Sequence, residues 1–166
     1  MSPPRYRPFE EGEEGLLLPV GAFRGILLEI LERGESIRFR AGGLSMVPFI
    51  MNGDVITVGP LPRRGVATGD VIAFRRSFDD KILMHRVVVD LHDCLVTRGD
   101  AAVRPDGMIT LDRVIGRVTR VERDGRLVRA GWGPERRLIA MLSRHRLLIP
   151  LVAYSRKLRA GWERLR

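Results

Sequence analysis

Residues 37–58 read IRFRAGGLSMVPFIMNGDVITV. Two short runs rich in β-branched and aromatic side chains, Ile37 to Ala41 and Val55 to Val58, flank a stretch punctuated by Gly42, Gly43, Pro48, Asn52, Gly53 and Asp54. Short runs with this punctuation are strands joined by turns, and the texture continues downstream. Further runs fall at Val71 to Phe74, Ile82 to Val89, Leu95 to Thr97, Val114 to Val121 and Leu127 to Arg129. The segment Gly59 to Thr68, with Pro60, Pro62 and Gly65, reads as a loop. The expectation is a mainly β domain over residues 35–130, built as a small barrel or a folded sheet.

Upstream, Phe23, Ile26, Leu27, Ile30 and Leu31 repeat at helical spacing. Arg24, Glu29, Glu32 and Arg33 occupy the other side and Gly34 stops the run, so residues 16–34 are expected to carry an N-terminal amphipathic helix. After Trp132 and Pro134 the helical period returns with Leu138, Met141 and Leu142, then Ile149 and Val152, marking residues 131–166 as a helical tail. That tail is basic: residues 135–166 hold nine Lys or Arg against Glu135 and Glu163, out of a net charge of +9 for the 166 residues. Residues 1–15, with Pro, Arg and four Glu, read as a flexible arm without the apolar core of a secretory signal. No run approaches the ~20 apolar residues that span a bilayer; Leu147 to Ala153 is interrupted by Pro150. A cytoplasmic or peripheral membrane location follows as the expectation. The basic tail suits an anionic membrane surface, and nucleic acid is disfavoured as a partner. A single cysteine, Cys94, excludes an intramolecular disulfide and a cysteine-paired zinc site, and its apolar neighbours Leu95 and Val96 point to a core position.

The segment Gly42-Gly43-Leu44-Ser45-Met46-Val47-Pro48 presents a serine hydroxyl at a tight bend. Such a hydroxyl is a poor nucleophile without a base within hydrogen-bond reach. Of the three histidines, His145 lies in a basic cluster and His92 beside Asp90 and Asp93 in a turn. His85 stands inside the apolar run Ile82 to Val88, where a polar ring is costly unless partnered. Lys81, along an extended strand, would lie about 13 Å from His85. Arg86 does not deprotonate in this range and cannot serve as the base. A carboxylate to orient His85 can come from Asp100 or from Asp106, and spacing alone does not choose between them.

Taken in order, these motifs resemble the signal peptidase family, in the branch where histidine replaces the lysine general base, as in archaeal and endoplasmic-reticulum enzymes. The resemblance covers roughly Ile37 to Val121. It rests on Ser45-Met46-Val47-Pro48 followed by Gly53-Asp54, then Gly69-Asp70-Val71-Ile72, His85-Arg86-Val87, Gly99-Asp100 and Ile115-Gly116-Arg117-Val118. It implies a signal-peptidase or repressor-peptidase-like fold and a serine endopeptidase that needs no cofactor and no metal. Ser45 would be the nucleophile, His85 the base, and Asp106 or Asp100 the third group. Gly43 stands where the family often has a hydroxyl residue, so the oxyanion would lean on backbone N–H groups such as that of Ser45. Gly42, Gly43 and Met46 would line substrate pockets, and Leu44 would shape the adjoining one.

The implied partner is a peptide or protein substrate, bound extended beside an exposed strand. A leader or signal-type peptide is the natural class. Two alternatives stand beside this. One is a self-cleaving, repressor-like regulator, which would need a scissile Ala-Gly such as Ala41-Gly42, Ala130-Gly131 or Ala160-Gly161. The other is a catalytically idle peptide-binding module with Ser45 out of reach of His85 and a basic tail that contacts a membrane or nucleic acid. Oligomeric state is not legible in the sequence.

Overall fold

The computed structural model describes residues 20–79 and 81–148. The expected arm at 1–15 and the tail beyond Leu148 lie outside the described residues. The chain runs α1 (Val20–Glu32), β1 (Ile37–Arg40), β2 (Val55–Gly59), β3 (Val71–Arg75), β4 (Ile82–Asp90), β5 (Cys94–Arg98), β6 (Met108–Thr110), a 3₁₀ turn (Leu111–Arg113), β7 (Val114–Arg123), β8 (Arg126–Leu127) and α2 (Arg136–Arg144). Helix α1 ends as the sequence indicates. Gly34 takes φ +76° and the N–H of Glu35 returns to the carbonyl of Ile30, a pairing that satisfies the last turn.

The strands form one eight-stranded antiparallel sheet in the order β1-β2-β7-β3-β4-β5-β6, with β8 paired to β7. The sheet is folded and not closed: β1 and β6 are its two ends and do not pair with each other, so the barrel alternative does not hold. Register shifts at Thr57/Val58, Ala73/Phe74 and Val87/Val89 bend the sheet locally. Because β3 is covered on both faces, it reads as the unbroken apolar run Val71-Ile72-Ala73-Phe74. Val71 and Ala73 enter a core with Leu27 and Leu31 of α1, Met46, Ile50, Ile56, Val58 and Val121. Ile72 and Phe74 enter a second core with Val87, Leu95, Ile109 and Val114.

Strand β6 escapes the sequence pattern because it has three residues and buries only Ile109. The expected Leu127 to Arg129 run contracts to the two exposed residues of β8. Cys94 is only partly buried. It opens β5, and strand alternation that sends Leu95 into the core turns Cys94 the other way. Among the described residues, no helix is long and apolar enough to cross a membrane.

Helix α1 sits on the sheet at Gly116. A Cβ there would fall 2.7 Å from the Gly59 carbonyl oxygen and 3.0 Å from Leu31 Cδ1. Gly116→Ala should therefore lower stability by about 1–3 kcal/mol through overpacking. Gly25→Ala, in α1 with open space around it, should raise stability by about 0.5–1 kcal/mol. Urea unfolding midpoints of the two variants, moving in opposite directions, check the α1 docking.

Candidate active site

Consecutive strand residues point to opposite faces, and β4 uses that alternation at His85 and Arg86. His85 faces the same way as Leu83 and Val87, with its ring 6.2 Å from that of Phe74. Its Nε2 lies 2.9 Å from Ser45 Oγ and its Nδ1 lies 2.7 Å from Asp106 Oδ2. The same Asp106 oxygen accepts a 2.8 Å hydrogen bond from Thr97 Oγ1, and the Asp106 N–H donates to the Thr97 carbonyl. With the carboxylate as acceptor at Nδ1, the tautomer bearing hydrogen on Nδ1 leaves Nε2 free to accept the serine proton. The arrangement has the connectivity required to deprotonate a hydroxyl and stabilise the resulting imidazolium.

Ser45 sits in a turn between β1 and β2. Gly43 takes φ +92°, a conformation only glycine adopts readily, and its N–H donates to Asn52 Oδ1 at 3.2 Å. The peptide bond between Val47 and Pro48 is cis. The Ser45 carbonyl accepts from the Ala101 N–H at 2.8 Å, tying the turn to the loop that carries both aspartates. Gly99 permits this closeness: a Cβ there would lie 2.7 Å from the Ser45 carbonyl oxygen and 3.1 Å from His85 Nε2. Among the described residues, no acceptor takes the Ser45 backbone N–H.

Arg86 points the other way, fully buried, and there it meets Asp100. Nε and Nη2 donate to the two carboxylate oxygens at 2.9 and 2.8 Å, while Nη1 donates to the carbonyls of Gly69 and Gly131. The two aspartates left open by the sequence are thus separated by geometry. Asp106 contacts the histidine and Asp100 is committed to the arginine beside it. Burial pushes the Asp100 carboxyl up, opposed by hydrogen bonds from Arg86.

A pocket of about 90 Å³ opens beside Ser45, lined by residues including Gly42, Gly43, Met46, Ile82, Met84 and His85. That volume suits a small side chain and is far below the several hundred Å³ of sites that enclose drug-sized ligands. Met46 is buried in this lining. Leu44 is 55% exposed and is not among the residues that line this pocket. The other histidines are remote from this chemistry, with exposed His92 in the β4–β5 turn and exposed His145 at the end of α2. Lys81 is exposed and pairs with Asp79. Thr97 and Gly99 are the contributors that sequence reasoning did not single out as such. The available signal for the first was the period-two alternation of Leu95-Val96-Thr97, which puts a hydroxyl on the same inward face as Leu95. Among the described residues, no group of three His, Cys, Asp or Glu side chains could hold a metal ion.

A scan of family models, a search of curated proteins and a search of solved structures each returned no match to this chain.

The two aspartates should separate in stability measurements. Asp100→Asn, which strands a buried guanidinium, should cost about 3–5 kcal/mol by chemical denaturation. Asp106→Asn should cost about 1 kcal/mol, since it alters one partly exposed carboxylate and keeps the amide oxygen.

Proposed function

We propose that this chain is a serine endopeptidase that cuts leader or signal-type peptides through an acyl-enzyme. The observation that carries the reading is the unbroken contact chain from Ser45 Oγ through His85 to Asp106, at 2.9 and 2.7 Å. The ordered resemblance to the Ser-His branch of the signal peptidases supports it, as does a folded antiparallel sheet compatible with that family's fold.

In the proposed mechanism His85 Nε2 takes the Ser45 proton as Oγ attacks the scissile carbonyl. Asp106, held by Thr97, keeps the imidazolium oriented. The free Ser45 N–H is the backbone donor best placed in the sequence to hold the oxyanion. His85 then protonates the leaving amine as the C–N bond breaks; in the second half it takes a proton from the water that attacks the ester and returns it to Ser45 Oγ as the acyl–oxygen bond breaks.

The cleft suits an extended peptide. Strand β3 pairs with Ile82 through Arg86 of β4, whereas β5 pairs with β4 only from Arg86 onward. Among the described residues the second edge of Ile82 to His85 has no strand partner. Val87 exchanges hydrogen bonds with Gly69 and Asp70 on the β3 side, so ladder alternation directs the backbone groups of Ile82 and Met84 to that open edge. A substrate strand added there would lay a small side chain into the pocket beside Ser45.

The self-cleaving alternative has less support. The backbone of Ala41 is paired on both sides with Asp54 and Gly53, and the Gly131 carbonyl is bound by buried Arg86. Neither is a free linker, and Ala160-Gly161 lies outside the described residues. An idle module would call for Ser45 apart from His85, opposite to the contact observed. An anionic membrane surface remains the proposed docking partner of the basic end, where Arg137, Arg144 and Arg146 are exposed.

Incubation with a diverse peptide library, read by mass spectrometry, should yield cleavages that Ser45→Ala abolishes. Asp106→Asn should slow them by about 10⁴-fold. Cleavages that survive Ser45→Ala unchanged would sink the peptidase reading.

A further inference from the structure

Asp70, at the entry to β3, is 2% exposed and is approached by three arginines from three separate segments. Arg64 Nη2, from the loop before β3, lies 3.4 Å from Oδ2. Arg117 Nη1, from β7, lies 3.3 Å from Oδ1, and Arg136 Nε, from the start of α2, lies 3.6 Å from that same oxygen. Packing enforces the last approach, because a Cβ on Gly69 would fall 2.9 Å from the Arg136 backbone.

One carboxylate meeting three guanidinium groups leaves two positive charges uncompensated. Among the described residues, no other carboxylate is within ion-pair reach of any of the three. The contacts are also loose. Charge-assisted bonds to a carboxylate usually fall near 2.7–2.9 Å, as Arg86 achieves with Asp100; around Asp70 the arginine contacts run from 3.3 to 3.6 Å. The Nε atoms of Arg117 and Arg136 are buried without a hydrogen-bond partner. Buried unsatisfied donors call for a partner, and here both sit where positive charge is in excess.

We propose that Arg64, Arg117 and Arg136 form a binding site for a phosphate-type dianion, with Asp70 as the anchor that holds the three forks together. A phosphate group matches the surplus in charge and carries enough acceptor oxygens for several guanidinium forks, whereas a single carboxylate matches neither. Arg64, with its side chain 48% exposed, is the mouth of the site, and Arg117 and Arg136, about three-quarters buried, are its floor. Either a soluble phosphate or a phospholipid headgroup presents this chemistry.

Isothermal titration of the full chain with inorganic phosphate, at chloride-balanced ionic strength, should give one saturable site. Arg64→Gln and Arg136→Gln should each weaken it by about tenfold or more. Exposed Arg126→Gln should leave it unchanged, and urea midpoints should show that Arg64→Gln remains folded. Sedimentation with phosphatidic acid vesicles against phosphatidylcholine vesicles then separates the sources. Pelleting that is lost in Arg64→Gln assigns a lipid headgroup; no pelleting, or pelleting that Arg64→Gln leaves intact because the basic end carries it, alongside intact phosphate binding of the unchanged chain assigns a soluble anion. Absence of a saturable phosphate site, or phosphate binding indifferent to both Arg64 and Arg136, overturns the proposal.

Discussion

Arg86 and Asp100 are both wholly enclosed, and removing such ions from water costs several kcal/mol each. The pair is tolerable only because its hydrogen bonding is complete. The guanidinium makes two parallel bonds to the carboxylate and two more to the carbonyls of Gly69 and Gly131, and its Cζ lies over the Phe49 ring, 5.1 Å from the centroid. Those acceptors belong to three segments of chain, the turn entering β3, the loop after β5 and the approach to α2, and Arg86 ties all three to β4. The ion pair therefore fixes the relative positions of the parts that surround Ser45, although neither charge touches the serine or the histidine.

A second buried cation extends the same frame. Arg98 stands directly opposite Arg86 across the β4–β5 ladder and, among the described residues, has no carboxylate partner. It donates instead to the carbonyls of Ala102, Val103 and Ser143, and burial, reinforced by the nearby charge of Arg146, holds its pKa below the usual arginine value. Ser143 lies in the last turn of α2, where its carbonyl also accepts from the Arg146 N–H at 2.9 Å and where a positive charge is favourable. One side chain thus fastens the loop carrying Asp106 to the end of α2. The helix that begins the basic tail is part of the support for the site.

The site itself is built by close approach as much as by polar groups. Gly99 lets the aspartate loop come against Ser45, Gly43 lets the serine turn reverse, and the partial pairing of β4 leaves a backbone edge open beside both. Hydrogen bonds hold Ser45, His85 and Asp106 in register, and among the described residues Ile82 to His85 have no strand neighbour on their second edge, which is where the proposed substrate strand would pair.

By itself the sequence determined the mainly β character, the helix before it and the helical period after it, because these depend on local alternation, β-branched runs and glycine stops. It also brought out Ser45 and His85, through the order of motifs that resembles the signal peptidases: a serine in a glycine-rich turn is commonplace by itself, and a histidine inside an apolar strand fits a partnered core residue equally well. The choice between Asp106 and Asp100 belonged to the tertiary structure alone: both sit in turn-forming sequences, and only the direction in which β4 sends His85 and Arg86 assigns each carboxylate its partner. The three-residue strand β6, the open ends of the sheet, the outward turn of Leu44 and Cys94 and the meeting of three arginines at Asp70 were likewise decided by contacts between residues far apart in the chain. No local pattern encodes such contacts, because hydrogen-bond partners and charge balance are properties of the folded neighbourhood.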